Sequence, residues 1–141
     1  MAPLPESARA IVESDALGHL VTMNPDGTPQ VSCVWVGLDG DELVSGHLRG
    51  DQRKLRNVRR EPRVVVSFEG TRIQPPGLKE HLVVHGRARI EEGGGAELLQ
   101  RLARTYLGPD VKFPLMDEPP AGYVLRIAVD RIGGIGPWAS S

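Results

Sequence analysis

Seven cations fall between Arg49 and Arg63: Arg49, Arg53, Lys54, Arg56, Arg59, Arg60 and Arg63, against only Asp51 and Glu61. The segment is +5 in a chain of formal net charge −1, so the remainder is −6. Positive charge gathered this locally can hold an anion. The run "GDQRKLRNVRREPRV" has Leu55 and Val58 as a narrow apolar stripe and Pro62 as a stop, which predicts a short helix. Gly50-Asp51-Gln52 would open that helix directly after a strand, with Arg53 and Lys54 in its first turn. Backbone N–H groups point outward there, and the helix dipole opposes cations, a penalty that a bound phosphate or carboxylate would relieve. A charge run is ordinarily a solvated face, but the placement favours an anion site.

Other candidate chemistry is weaker. His81 and His85 in "HLVVH" resemble half of a zinc-protease motif without its Glu. The segment reads as strand, where positions four apart lie about 13 Å from each other, too far to share a metal. His19 and His47 stand alone, and no metal site is expected. Cys33 lies mid-strand with no acid or base near it in sequence, which predicts a buried, inert thiol. "GGIGPW" lacks the Lys-Ser/Thr pair and the following helix of a phosphate loop. Pro137 and Trp138 leave two readings open: an aromatic docked on the protein's own surface, or a lid over a ligand or a subunit interface.

The elements that must position these residues follow from periodicity. "PESARAIVESDALG" predicts a first helix, closed by Gly18. "HLVTM" and "PQVSCVWVGL" read as strands joined by the turn "NPDGT", and "ELVSGHL" as a third strand after the turn "LDGDE". Beyond the basic helix come strands "RVVVSFE" and "EHLVVHGRARI", with "GTRIQPPGLK" as the loop between them. "GGGAELLQRLARTYLG" is the clearest helix, the proline-rich "PDVKFPLMDEPPAG" an extended loop, and "YVLRIAVDRIGGI" a last strand. Strands linked by short turns predict a mainly β (α+β) architecture: an antiparallel barrel with peripheral helices.

The chain has 141 residues, the size of one domain able to bury a core without staples. A single cysteine excludes internal disulfides. With pI near 6.4, general nucleic-acid binding has no charge support. No signal peptide or membrane span is read from the sequence, and a cytoplasmic protein is expected.

The stretches "GHLVTMNPDGTPQVSCVWVGLDG", "ELVSGHLRGDQRKLRNVRREPRVVVSFE" and "HLVVHGRARI" resemble the split β-barrel flavoproteins related to pyridoxamine 5′-phosphate oxidase. Within them, the "QRKLRNVRREPRV" block after "DGTPQVS" resembles the actinobacterial branch that binds the deazaflavin coenzyme F420. The resemblance implies one split-barrel domain over 1–141, with an N-terminal helix at 1–17 and a C-terminal tail at 133–141 near the cofactor groove. It implies a homodimer with a cofactor in each of two interfacial grooves. The cofactor ring would lie along Val31, Ser32, Cys33, Val34 and Trp35 and beside Ser45, Gly46 and His47. Its phosphate and acidic tail would run to Gln52, Arg53, Lys54 and Asn57, and Pro137 and Trp138 would reach the groove.

The implied activity is hydride transfer from reduced F420 to an electron-poor, unsaturated small molecule. No catalytic residue is assigned; a proton must follow the hydride, and His47, a nearby hydroxyl or solvent could supply it. The chain ends "RIGGIGPWASS" rather than in the Arg-rich signature of the vitamin oxidases, and Ser and Gln replace cations at some FMN-phosphate positions. The alternatives are an FMN oxidase or flavin reductase of the same fold, and a non-catalytic carrier of the cofactor or of a tetrapyrrole.

Overall fold

Period-two burial runs along the long strands of the computed structural model, which describes residues 3–139. In β1 (Gly18–Met23), Gly18, Leu20 and Thr22 are buried while His19, Val21 and Met23 are half-covered. That is the signature of a strand with one face on a core. The chain continues through β2 (Pro29–Val34), β3 (Gly37–Asp39), β4 (Glu42–His47), β5 (Arg63–Gln74), β6 (Leu78–Glu92) and β7 (Tyr123–Ile135). Helices α1 (Glu6–Val12), α2 (Arg53–Arg60) and α3 (Gly95–Tyr106) and a 3₁₀ turn at Pro137–Ala139 lie around them.

All strand pairs are antiparallel, in the order β2-β1-β5-β6-β7-β4-β3. β2 and β3 are consecutive in the chain yet occupy opposite edges. Trp35 and Val36 therefore carry the backbone from one edge to the other, which curls the sheet into a split antiparallel β-barrel. The inward faces deliver Leu20, Leu43, Val66, Phe68, Leu82, Val84 and Leu125 to one core. Each such side chain contributes roughly 1.5–3 kcal/mol on burial. Ala8, Ile11 and Val12 of α1 cover one part of this core, and Leu55 and Val58 of α2 another. α3 packs Leu98 and Leu102 on Val44 and Val124 in a smaller cluster that Trp35 and Tyr106 flank.

Four boundaries differ from the sequence reading. α1 ends at Val12, because Ser14 turns its hydroxyl back on the Ile11 carbonyl at 2.6 Å, and Gly18 begins β1 instead of closing the helix. The run "PQVSCVWVGL" is two strands, broken at the edge-to-edge crossing. The stretch 70–79 is mostly strand: β5 and β6 pair out to Ile73–Lys79 and Gln74–Leu78, and only Pro75–Gly77 form the tip. The prolines there fall where no ladder N–H is needed. Residues 133–135 belong to β7, paired with β6, so the C-terminal tail starts later than 133. No helix among the described residues is long and apolar enough to cross a membrane.

Candidate functional site

An open cleft of about 390 Å³ lies where β2, β4, α2 and α3 meet. Cys33, Val34 and Trp35 form one wall, Gly46 to Arg49 the floor, Gln52 and Lys54 one end, and Leu99 and Phe113 the far side. Gly46 must lack a side chain: a Cβ there would sit 2.7 Å from the Gly95 carbonyl oxygen and 3.0 Å from Leu99 Cγ. This flush contact of β4 on α3 brings Leu99 to the cleft. Trp35 is stacked on Tyr106, with centroids 5.4 Å apart and planes at 10°, and tilted against Phe113 at 5.0 Å. The Tyr106 hydroxyl accepts from the Val36 N–H at 3.1 Å and donates to the Ala16 carbonyl at 2.8 Å. One side chain thus supports the aromatic wall and ties down the crossing.

Electrostatically the cleft is a cationic corner with a buried histidine. His47 is 5% exposed, and its Nε2 is 2.8 Å from the Ser45 hydroxyl. Burial first and the Lys54 charge second push its pKa down to about 4, so the imidazole is neutral at pH 7. The nearby Gln52 amide opposes part of that shift. Even so, Gln52 Oε1 is buried without a well-formed hydrogen bond. Lys54 is held below the ordinary lysine range by desolvation. No side chain caps α2 and no acid stands in its first turn, leaving outward N–H groups beside Lys54. An ammonium, a helix N-terminus and an unsatisfied amide oxygen meet at one place. The first two suit a phosphate, and the oxygen suits an N–H or O–H donor of the same ligand.

Of the fourteen residues expected at the site, the cleft gathers Cys33, Val34, Trp35, Gly46, His47, Gln52 and Lys54. Ser45 stands behind them, buried against His47. Val31 is exposed on the same face of edge strand β2 as Cys33 and extends the wall, whereas Ser32 alternates to the other face. Arg53 is exposed outside the cleft, where its charge acts on Asp26 of the β1–β2 turn. Asn57 is not at the cleft: it is buried, its Nδ2 3.1 Å from Thr22 Oγ1 and 3.0 Å from Asn24 Oδ1. Trp138 is 5% exposed in the main core, its indole N–H bonded to the Gly133 carbonyl at 2.8 Å. Of the two readings for that tail, docking on its own protomer describes Trp138; Pro137 is exposed beside it. Cys33 is exposed, contrary to the expected buried thiol, because β2 is an edge strand.

Much of the basic block is engaged within the chain. Arg49 pairs with Asp51 at 3.1 Å and Arg63 with Glu61 at 2.7 Å, while Arg59 donates to the Gly50 carbonyl and Arg60 to that of Met23. Only Arg53, Lys54 and Arg56 of the seven have no hydrogen bond or ion pair among the described residues. Sequence reasoning missed Leu48, Arg49, Leu99 and Phe113 as lining residues. Leu99 was visible in the α3 stripe, but Phe113 lies in a loop with no periodicity to flag it. No metal-binding cluster occurs among the described residues.

Comparison with known proteins places this arrangement. A structure titled "F420 Reductase" is 29% identical, with TM-score 0.71, covering 92% of this chain and 98% of its own. The conserved hypothetical protein Rv2991 of Mycobacterium tuberculosis is 22% identical at TM-score 0.69, covering 95% of this chain and 89% of its own. HupZ of Group A Streptococcus shares the fold at TM-score 0.62 and 18% identity, covering 94% of each chain. No curated protein matches the sequence. The family model for pyridoxamine 5′-phosphate oxidase matches residues 4–136, and the chain belongs to that family.

Proposed function

We propose that the protein is an oxidoreductase that binds reduced coenzyme F420 in this cleft and passes its hydride to an electron-poor, unsaturated small molecule. The observation that carries the reading is the meeting of desolvated Lys54, the uncapped α2 N-terminus and the orphaned Gln52 oxygen beside an aromatic wall. The similarity to the structure titled F420 reductase supports it. When bound, the deazaflavin supplies the hydride. Lys54 and the first-turn N–H groups would hold its phosphate, and Cys33 to Trp35 would line its ring. Neutral His47 can donate one hydrogen bond and accept another but carries no imidazolium proton at neutral pH. The proton that follows the hydride therefore comes from solvent or from a hydroxyl relay such as Ser45–His47.

FMN is the second reading, favoured by one observation. Among the described residues, Lys54 is the only cleft cation without an internal partner, since Arg49 is paired with Asp51, and one phosphate matches that supply. The protein is further proposed to work as a homodimer, with the half-covered outer residues Val21, Val65 and Val83 meeting a second copy. Parallel titrations with F420 and FMN test the assignment. Tighter binding of F420, together with oxidation of its reduced form by an enone or quinone acceptor, supports it. Tighter binding of FMN transfers the site to the second reading, and binding of neither overturns both.

A further inference from the structure

Beside the cleft, across a single side chain, lies a second cavity of about 440 Å³ between α3 and the loop 109–122. Phe113 is the one described residue that lines both. Its backbone is fastened from α3 by both ends of one amide: Gln100 Oε1 accepts the Phe113 N–H at 2.9 Å, and Gln100 Nε2 donates to the Val111 carbonyl at 3.0 Å. The ring is further braced by Trp35. Past this clamp Pro114 is buried and the tip that follows is open, with Leu115 81% exposed and Met116 48% exposed, before the Ala121 carbonyl accepts from the Gly95 N–H at 2.9 Å. Phe113 is thus a partition fixed at the base of an exposed loop tip.

Ligand sites commonly span about 300–1,000 Å³, and a cleft of about 390 Å³ is at the small end of that range, so a cofactor ring and its acceptor would share little space. An acceptor of the hydride would lie beside that ring, and Phe113 bounds the far side of the cleft. We infer that Phe113 is a specificity-determining residue: it limits the cleft to short, planar conjugated acceptors and shuts longer ones out of the second cavity. Gln100 is its positioning residue. This rests on the proposed reading of the cleft as a hydride-transfer site.

The test uses planar carboxylates that differ in length but not in charge: benzoate, 2-naphthoate and anthracene-2-carboxylate. Their dissociation constants are measured by calorimetry on the wild-type protein and on Phe113→Ala, Phe113→Leu and Gln100→Ala variants, with and without saturating cofactor. A pocket wall of this size discriminates by about tenfold or more. Phe113→Ala should shift the anthracene-to-benzoate affinity ratio by at least that factor in favour of the longer ligand. Gln100→Ala should shift it in the same direction by less. A purely structural role would weaken all three ligands together and leave the ratio in place. Phe113→Leu keeps an apolar contact with Trp35, so it carries the same test at smaller amplitude if the alanine variant does not fold. An unchanged ratio in folded variants overturns the inference even where the cofactor binds. If neither cofactor binds but the ratio still follows residue 113, the hydride-transfer reading falls and the partition stands.

Discussion

At the scale of single residues, the cleft turns on Lys54, His47 and Cys33. A charge-assisted hydrogen bond is worth roughly 1.5–3 kcal/mol, or about 10- to 150-fold in affinity. Lys54→Ala should therefore raise the cofactor dissociation constant at least tenfold with the unfolding midpoint little changed. Equal affinity would remove the ammonium from the site. His47 has a pKa of about 4 in the folded chain against 6.5 when exposed. Between those values the unfolded chain binds the extra proton, so stability falls as pH drops from 6.5 towards 4, by about 3 kcal/mol in all. Urea titrations of wild type and His47→Gln across that window should converge as the pH falls; parallel curves would refute the shift. Cys33, exposed on an edge strand, should react with Ellman's reagent in the folded protein and be shielded by a ligand in the cleft. A thiol that reacts only after unfolding would contradict that geometry.

At the scale of elements, α2 and the β2–β3 crossing decide where the site falls. Asn57 and Arg60 fasten α2 to the β1–β2 hairpin, so this part of the basic block holds the helix in place and leaves Lys54 to face the cleft. Asn57→Ala should lower unfolding stability by about 1–3 kcal/mol, the usual result of unpairing buried polar groups. Cofactor affinity measured well below the unfolding transition should change little. This separation of roles was not legible in the sequence. Composition placed seven cations together, but only tertiary packing shows that Arg59 and Arg60 turn to backbone carbonyls. The strands were legible because their alternation follows from one-sided burial. The break at Trp35 was not, since "CVWVG" is continuously apolar and a switch of sheet edge leaves no mark in periodicity. Trp138 had no neighbouring pattern at all, because its partners lie in α1 and β7.

At the scale of the whole molecule, the open outer face of the sheet and the exposed Val31, 61% accessible, suit a second copy. Light scattering at micromolar concentration should give about twice the chain mass of 15.3 kDa, and a monomer mass would exclude the interfacial groove. The closure of the barrel has its own consequence. The Val36 amide is paired with a tyrosine hydroxyl and not with a strand, at the crossing that joins the two edges of the sheet. Its proton can exchange with solvent whenever that seam parts, without unfolding of the strands on either side. A deuterium-exchange experiment that resolves this one amide would therefore time the breathing of the barrel. A molecule resting on Trp35 should slow that clock while leaving the amides of β5 and β6 at their own pace.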